Sequence, residues 1–216
     1  MDKWIIVIPK NERLSKFREV FEKIKSFLNI DKYDFLEVRG EDVPLFVTEI
    51  IKKGNKSIGI TGEDLFKEFQ LEKPDSNLSI LRRFSWIDKE AIFEKPALCL
   101  LGPKNKTLDN LPKKLRVCIA DKYKKIAKHY LNMLESKGFV FEKMYVSGAT
   151  EKTFLYGISD LVIDIVYSGK SAKEAGLEVY DKIFECDIVV IGDKKTMPNT
   201  PQISFRPQQP EINWLK

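Results

Sequence analysis

Apolar residues recur along this chain with two alternating periods. Short β-branched runs, such as Trp4 to Pro9 and Leu161 to Val166, are typical of buried parallel strands. Between such runs, apolar residues recur every three or four positions, as expected for amphipathic helices. On the first predicted helix they are Leu14, Phe17, Val20, Phe21, Ile24 and Phe27. This alternation implies parallel pairing with right-handed crossovers, and therefore an α/β fold.

The predicted elements follow one another with short connections. Strands are expected at 4–9, 35–38, 57–61, 81–86, 96–101, 115–120, 141–146 and 161–166. Helices are expected at about 13–28, 43–52, from 62 onward, 123–137, 150–156 and 171–176. One long apolar run at 182–191 follows, and the Pro- and Gln-rich tail from 197 is predicted to be irregular.

The alternation is interrupted between about 79 and 102, where two strand-like runs occur with no long helix between them. A second alternating series starts at 115. We therefore predict two lobes, each a mainly parallel sheet flanked by helices. The first would be discontinuous, from 1–95 plus 180–216, and the second would be 96–179. The chain would cross near 90–104 and near 178–186, leaving a ligand cleft between the lobes.

The composition narrows the class of protein. The 216 residues, 43% hydrophobic and 32% charged, are typical of a globular protein, and the apolar runs are too short to span a membrane. The first strand is too short for a signal peptide, which favours a cytoplasmic location. A net charge of +5, spread along the chain, fits small anionic substrates better than nucleic acid.

The cysteines and the single histidine exclude some chemistry. Cys99, Cys118 and Cys186 are widely spaced in apolar runs, so they are expected to be buried core thiols. The only histidine, His129, lies in a lysine-rich helical segment. Neither a histidine-based metal site nor a Ser-His-Asp triad is expected.

The segment from Leu161 to Leu177 is the strongest candidate for a site. Its predicted apolar strand ends before Ser168-Gly169, and a short helical pattern begins at Ser171. Such a junction directs backbone N–H groups toward one point, which predicts a phosphate cradle. Asp164, unusual in an apolar strand, suits the two hydroxyls of a ribose. A strand, turn and helix without a ligand is the alternative.

Further candidates follow the other strands, because ligands in α/β sheets gather at the C-terminal ends of strands. Lys10 and Arg13 follow the first strand, Asp64 follows the third, and Glu151 belongs to the second lobe. Taken singly, each could be only a solvated residue or a dipole partner in the first turn of a helix.

Five segments, taken in order, resemble the ATP phosphoribosyltransferase family, the first enzyme of histidine biosynthesis. They are Val7-Ile8-Pro9-Lys10 with Arg13-Leu14, Val38-Arg39 with Asp42-Val43-Pro44, Gly59-Ile60-Thr61-Gly62-Glu63-Asp64-Leu65, Ser147-Gly148-Ala149-Thr150-Glu151 with Gly157-Ile158-Ser159-Asp160, and Asp164-Ile165-Val166 through Ala175-Gly176-Leu177. The family's phosphate loop reads Ser-Thr-Gly-Thr-Thr-Leu, where this chain has Tyr167 to Ala172.

The resemblance implies a two-lobed fold of the type II periplasmic-binding-protein kind. It also implies a reaction that joins ATP to 5-phosphoribosyl 1-diphosphate, with Mg²⁺, and releases diphosphate. Adenine N1 would attack the anomeric carbon without a covalent intermediate, so the protein supplies positioning and charge stabilisation. The implied roles are the 5-phosphate for Ser168, Gly169, Lys170 and Ser171, the ribose hydroxyls for Asp164, the diphosphate or triphosphate for Lys10 and Arg13, and substrate positioning for Asp64 and Glu151.

The resemblance is to the short form of the family, which implies an oligomer and a separate regulatory subunit resembling histidyl-tRNA synthetase. Lys170 stands where the family has Thr, and its ammonium either reaches the phosphate or points to solvent. The rival function is a non-catalytic cytoplasmic protein that binds a nucleotide or sugar phosphate on the same scaffold.

Overall fold

A computed structural model describes residues 3–10 and 14–196. The strands are β1 Trp4–Pro9, β2 Tyr33–Val38, β3 Ser57–Gly62, β4 Leu78–Phe84, β5 Ala97–Pro103, β6 Lys114–Ala120, β7 Val140–Val146, β8 Leu161–Val166, β9 Leu177–Glu185 and β10 Ile188–Asp193. The α-helices are α1 Leu14–Lys25, α2 Val43–Lys52, α3 Glu63–Glu72, α4 Lys124–Glu135, α5 Thr150–Leu155 and α6 Lys170–Glu174. Within these ranges, no helix combines the length and the apolar character needed to cross a membrane.

The strands form two five-stranded sheets with the same plan. Their orders are β2-β1-β3-β10-β4 and β7-β6-β8-β5-β9. In each sheet four strands run in one direction and the fourth strand of the order, β10 or β5, runs against its neighbours. Each reversed strand is the first that the chain forms after crossing between sheets. The predicted two-lobed α/β fold is confirmed.

The predicted apolar faces cover these sheets. On α1, Phe17 and Phe21 are buried with Val20 and Ile24 in the core of the first lobe. Phe27 follows the end of α1 and is exposed, unlike the other apolar residues predicted on this face that the structure describes. The helix α4 buries its apolar face on the second sheet in the same way. Burial of these side chains is what fixes each helix on its sheet.

The second crossing lies at 186–187, at the end of the predicted range 178–186. The apolar run at 182–191 is two strands, because β9 ends at Glu185 and pairs with β5, whereas β10 begins at Ile188 and pairs with β3. The predicted lobe boundary between 179 and 180 therefore falls inside β9, which lies wholly in the second sheet. As an edge strand, β9 carries exposed polar residues along its first half, so its start has no continuous apolar signal.

Asp187, between β9 and β10, joins the two crossing segments. Its carboxylate accepts hydrogen bonds from the backbone N–H of Trp86 at 2.9 Å and from Lys95 Nζ at 2.8 Å. The Cys186 N–H donates to the Pro96 carbonyl at 2.9 Å. The Asp187 side chain is 6% exposed and that of Lys95 is 15% exposed, so this ion pair is largely shielded from solvent. The Asp187 carboxylate and the Cys186–Pro96 hydrogen bond thus hold the two connections between the lobes together.

The cysteines are buried and free, as predicted. Cys99, Cys118 and Cys186 all lie in the interior, and none forms a disulfide. Burial raises the pKa of the Cys99 thiol to about 12, so this thiol is protonated at neutral pH.

Candidate active site at the interlobe cleft

A cavity of about 370 Å³ lies where strands of both lobes end. Its wall includes Pro9, Gly62, Asp64, Lys122, Tyr123 and Ile165. These residues come from the C-terminal ends of β1, β3, β6 and β8 and from the turns that follow them. A second groove of about 430 Å³ lies in the first lobe between α2 and the loop after α3, and none of the predicted site residues lines it. The cleft between the lobes is therefore the candidate site.

A chain of hydrogen bonds surrounds the end of β8. The Thr150 hydroxyl donates to Asp164 Oδ2 at 2.6 Å, and Glu151 Oε2 lies 3.2 Å from the same hydroxyl. The Ser171 hydroxyl donates to Glu151 Oε1 at 2.7 Å. The structure thus brings together Asp164, Glu151 and Ser171, three residues named from the sequence, and links the starts of α5 and α6 to β8. Thr150, which is fully buried, completes the chain.

Asp164 is partly buried and its carboxylate is held in place. Burial raises its pKa, and the Thr150 hydrogen bond, the Ile165 N–H and the charge of Lys122 oppose that rise. The Ile165 N–H donates to Oδ1 at 2.7 Å. A carboxylate has about four acceptor positions, so these two hydrogen bonds leave capacity for hydroxyl donors.

The turn between β8 and α6 has the shape expected from its glycine. Gly169 has φ +69°, the left-handed region that glycine adopts without strain. The Ser168 hydroxyl oxygen accepts the Lys170 N–H at 3.4 Å. The Lys170 side chain is 81% exposed, with Nζ 3.9 Å from Glu174. In this structure the Lys170 ammonium therefore points to solvent.

Across the cleft, Asp64 contacts the other lobe directly. Its carboxylate accepts a hydrogen bond from the Tyr123 hydroxyl at 2.5 Å, and the residue is 5% exposed. Burial raises the pKa of Asp64, and burial together with the charge of Asp64 raises the pKa of Tyr123 well above its usual value. Asp64 thus forms a direct hydrogen bond between the two lobes.

Glu68 makes a second bridge from α3. Its carboxylate accepts the N–H groups of Lys125 at 2.5 Å and Ile126 at 2.8 Å, in the first turn of α4. A carboxylate at this point pairs with backbone donors that the helix itself leaves unpaired, and with the positive end of its dipole. Two acidic residues of the first lobe therefore contact the start of α4: Glu68 its first turn, and Asp64 the preceding Tyr123.

The two basic residues predicted in the first lobe have different outcomes. Lys10 follows β1 directly, its N–H donates to the Val38 carbonyl at 2.6 Å, and its side chain is exposed. Its neighbour Pro9 lines the cavity. Arg13 lies outside the described residues.

Residues 39–208 match the family model described as HisG: ATP phosphoribosyltransferase. The chain belongs to the ATP phosphoribosyltransferase family. The family member from Caldicellulosiruptor bescii is 30% identical over 78% of this chain and 72% of its own length. That of Campylobacter fetus subsp. fetus is 29% identical over 88% of this chain and 89% of its own.

Solved structures share the fold. The ATP phosphoribosyl transferase (HisG:HisZ) complex from Thermotoga maritima has a TM-score of 0.64 at 23% identity, with 89% of this chain and 88% of that chain covered. The periplasmic aliphatic sulphonate binding protein SsuA from Escherichia coli has a TM-score of 0.57 at 14% identity, covering 90% of this chain and 62% of that one. The expected periplasmic-binding-protein kind of fold is confirmed, and the family model favours the phosphoribosyltransferase over the non-catalytic alternative.

Sequence reasoning missed three residues of this family member's cleft. Lys122 and Tyr123 follow β6, and the rule that ligand groups gather after strands could have found them. Thr150 lies inside a segment that had been matched to the family, but as one of its variable positions. Its role depends on a hydrogen bond to a residue fourteen positions later, which no local pattern reports.

The described part of the chain holds no cluster of three His, Cys, Asp or Glu side chains that could enclose a metal ion. Mg²⁺ is usually bound by one or two carboxylates together with substrate phosphates, rather than by an all-protein cage. The acidic residues at the cleft fit that second mode.

Proposed function

We propose that ATP and 5-phosphoribosyl 1-diphosphate bind in the cleft between the lobes, where adenine N1 attacks the anomeric carbon as diphosphate leaves. The observation that carries this proposal is the hydrogen-bonded chain of Asp164, Thr150, Glu151 and Ser171. It lies at the junction that corresponds to the family's phosphoribosyl-diphosphate loop. Its contacts fix the turn before any substrate arrives, and preorganisation of this kind lowers the cost of binding.

In this proposal the second lobe holds the sugar phosphate. The 5-phosphate binds the backbone N–H groups of the turn from Ser168 to Ser171 and the Ser168 hydroxyl, and the ribose hydroxyls donate to Asp164. Glu151 keeps Ser171 in position through its 2.7 Å hydrogen bond. Lys170 contributes its backbone N–H, and the charge of its exposed side chain does not take part.

The first lobe supplies charge and closure. Lys10 and Arg13 neutralise the triphosphate or the diphosphate. Asp64 positions the lobes through its contact with Tyr123, which brings both substrates into one enclosed volume. Closure of this kind also keeps water away from the anomeric carbon, where it would compete with adenine.

Mg²⁺ enters this proposal bound mainly to the diphosphate of the substrate. Asp164 and Glu151 are the acidic side chains nearest to the proposed sugar site, and they are joined through the Thr150 hydroxyl. The ion would offset the negative charge of the leaving group.

The test is product formation. The chain is incubated with ATP, 5-phosphoribosyl 1-diphosphate and Mg²⁺, and phosphoribosyl-ATP is sought by mass spectrometry. Asp164→Asn is the matched variant, because it keeps the shape of the side chain and should weaken binding of the sugar phosphate measured by calorimetry. Binding without product, even with a regulatory subunit added, would instead favour the non-catalytic anion-binding protein.

We also propose a regulatory subunit resembling histidyl-tRNA synthetase and an oligomeric assembly. The similar structure from Thermotoga maritima, a HisG:HisZ complex, supports this. We expect low activity of the isolated chain and a rise when the subunit is added, with inhibition by histidine only in the complex. Full activity and histidine inhibition of the chain alone would refute the requirement. The cytoplasmic location stays a prediction.

A further inference from the structure

Lys122 is a cationic side chain at the cleft that the proposed function does not use. It belongs to the single turn Asp121–Tyr123 after β6, is exposed, and lines the interlobe cavity. Its Nζ lies 5.2 Å from the centre of the Tyr123 ring. Nearby Lys124 is paired with Asp121 at 2.6 Å, whereas Lys122 forms no ion pair with any residue in the described ranges.

The topology gives Lys122 a counterpart in the first lobe. β1 and β6 occupy the same position in their sheets, each beside the third strand, β3 or β8. Lys10 follows the end of β1 directly, and Lys122 lies two residues after the end of β6. Each lobe therefore has a lysine within two residues of the end of the corresponding strand, and Lys122 lines the cavity.

The surroundings of Lys122 are acidic from both lobes. Burial raises the pKa of Asp64 and of Asp164, and the charge of Lys122 opposes that rise in each. Lys122 therefore acts on carboxylates from both lobes. It lies on the β6 side of Asp164, since β6 pairs with β8 in the sheet.

The position of Lys122 relative to the proposed sugar site indicates which phosphate group of the substrate it would contact. In 5-phosphoribosyl 1-diphosphate the 5-phosphate and the diphosphate leave opposite sides of the ribose. With the 5-phosphate at the turn and the hydroxyls at Asp164, the diphosphate lies toward a neighbour of β8, either β6 or β5. On the β5 side the nearest lysine in the chain, Lys95, is committed to buried Asp187. On the β6 side Lys122 is available.

We infer that Lys122 binds the departing diphosphate of 5-phosphoribosyl 1-diphosphate and stabilises its charge as the bond to the anomeric carbon breaks. This inference rests on the proposed function of the same cleft. It makes Lys122 a substrate-contacting residue that acts from the second lobe, opposite Lys10. A charge-assisted contact of this kind changes affinity by about tenfold or more.

Two ligands distinguish a direct contact between Lys122 and the diphosphate from a general electrostatic effect of the Lys122 charge. Inorganic diphosphate with Mg²⁺ carries the leaving group without the sugar, and ribose 5-phosphate carries the sugar without the leaving group. Calorimetry on Lys122→Gln should show about a tenfold or greater loss of diphosphate affinity and unchanged affinity for ribose 5-phosphate. Lys122→Arg should retain most of the diphosphate affinity because it keeps the charge.

Lys124→Gln is the matched control, because it removes the same charge two positions away from a side chain paired with Asp121. It should leave diphosphate affinity within about twofold of the wild type, since exposed charges beyond contact are screened by salt. Equal losses in Lys122→Gln and Lys124→Gln, equal losses for both probes, or unchanged diphosphate affinity would each overturn the assignment. If the wild type forms phosphoribosyl-ATP while Lys122→Gln keeps its diphosphate affinity, the inference fails and the proposed function stands.

Discussion

The junctions β3–α3 and β8–α6 occupy the same place in two sheets of the same plan, yet they differ in structure and chemistry. At the first, β3 passes directly into the ten-residue α3, and Asp64 is buried against the other lobe. At the second, β8 ends in a turn and the five-residue α6, around a network of hydroxyls and carboxylates. The same topology therefore carries a contact between the lobes at one junction and, at the other, the hydrogen-bonded network at which we propose that the sugar phosphate binds.

The backbone at the two glycines accounts for much of the difference. Gly62 has φ −69° and ψ 142°, an extended conformation that leads straight into α3. Gly169 has φ +69° and ψ 3°, a left-handed conformation that turns the chain before α6. An added Cβ at Gly62 would lie 2.3 Å from Asp64 Oδ1. Gly62 is thus needed for the close approach of Asp64, and Gly169 for the turn.

The largest expected effect comes from Asp187, which supports the first junction. Its carbonyl accepts the Glu63 N–H at 2.8 Å, at the start of α3, and its carboxylate neutralises the partly buried Lys95. Asp187→Ala should lower the free energy of unfolding by about 3–5 kcal/mol, because it leaves the partly buried Lys95 charge and the Trp86 N–H without their partner. Urea denaturation measures this. Adding Lys95→Met should recover part of the loss, and a loss below about 1 kcal/mol would contradict the buried pair.

The next largest effect on stability is expected from the hydrogen bond between Asp64 and Tyr123. A double-mutant cycle with Asp64→Asn and Tyr123→Phe should give a coupling of about 1.5–3 kcal/mol in the free energy of unfolding, as for a buried hydrogen bond to a charged group. Small-angle X-ray scattering of the variants should show a larger radius of gyration if the contact keeps the lobes closed. If the effects of the two single substitutions were additive and the radius of gyration were unchanged, the Asp64–Tyr123 hydrogen bond would not hold the lobes together at the first junction.

The pH dependence of stability tests the environment of Asp64. Burial raises its pKa above the ordinary value of 3.8, so the folded protein binds this proton more tightly than the unfolded chain does. Its contribution is fully present below pH 3.8 and is lost as pH rises through the raised pKa. The stability of the wild type relative to Asp64→Asn should therefore fall as the pH rises above 3.8 and through the raised pKa. A constant difference would indicate a solvated carboxylate.

At the second junction, Gly169→Ala should lower the free energy of unfolding by about 1–2 kcal/mol, the cost of a left-handed conformation for a residue with a Cβ. Space does not limit this change, because the nearest atoms to the added Cβ belong to Ile92, at 3.5 Å. Affinity for 5-phosphoribosyl 1-diphosphate should fall with it. Gly148→Ala is the control, since no atom lies within 4 Å and its φ is not in the left-handed region.

The smallest effect is expected for Lys170→Thr. The Lys170 side chain is exposed, and its weak pairing with Glu174 is worth less than about 1 kcal/mol. Calorimetry should give a nearly unchanged dissociation constant for 5-phosphoribosyl 1-diphosphate. A clear rise that shrinks at high salt would mean that the ammonium turns toward the bound phosphate.

Local sequence patterns were sufficient to predict much of the secondary structure of this protein. The periods of apolar residues located the helices and strands from β1 to β8, since a strand or helix buries one face of itself wherever it packs. The turn at Gly169 was readable because few other residues adopt its conformation. The gathering of Asp164, Glu151 and Ser171 followed from their positions after strands and from the resemblance to the family.

Tertiary structure alone decided the rest, because it depends on residues distant in the chain. The run at 182–191 divides into two strands because each half pairs with a different sheet. Asp64 and Asp187 are acidic residues in apolar surroundings, and each is stabilised by a partner 59 or 92 positions away. Lys124 pairs locally with Asp121, three positions earlier, whereas Lys122 lines a cavity that exists only because the two lobes pack together. The electrostatic environment of a charged side chain depends on all the groups that surround it in the folded protein, and the periodicity of apolar residues does not report these groups.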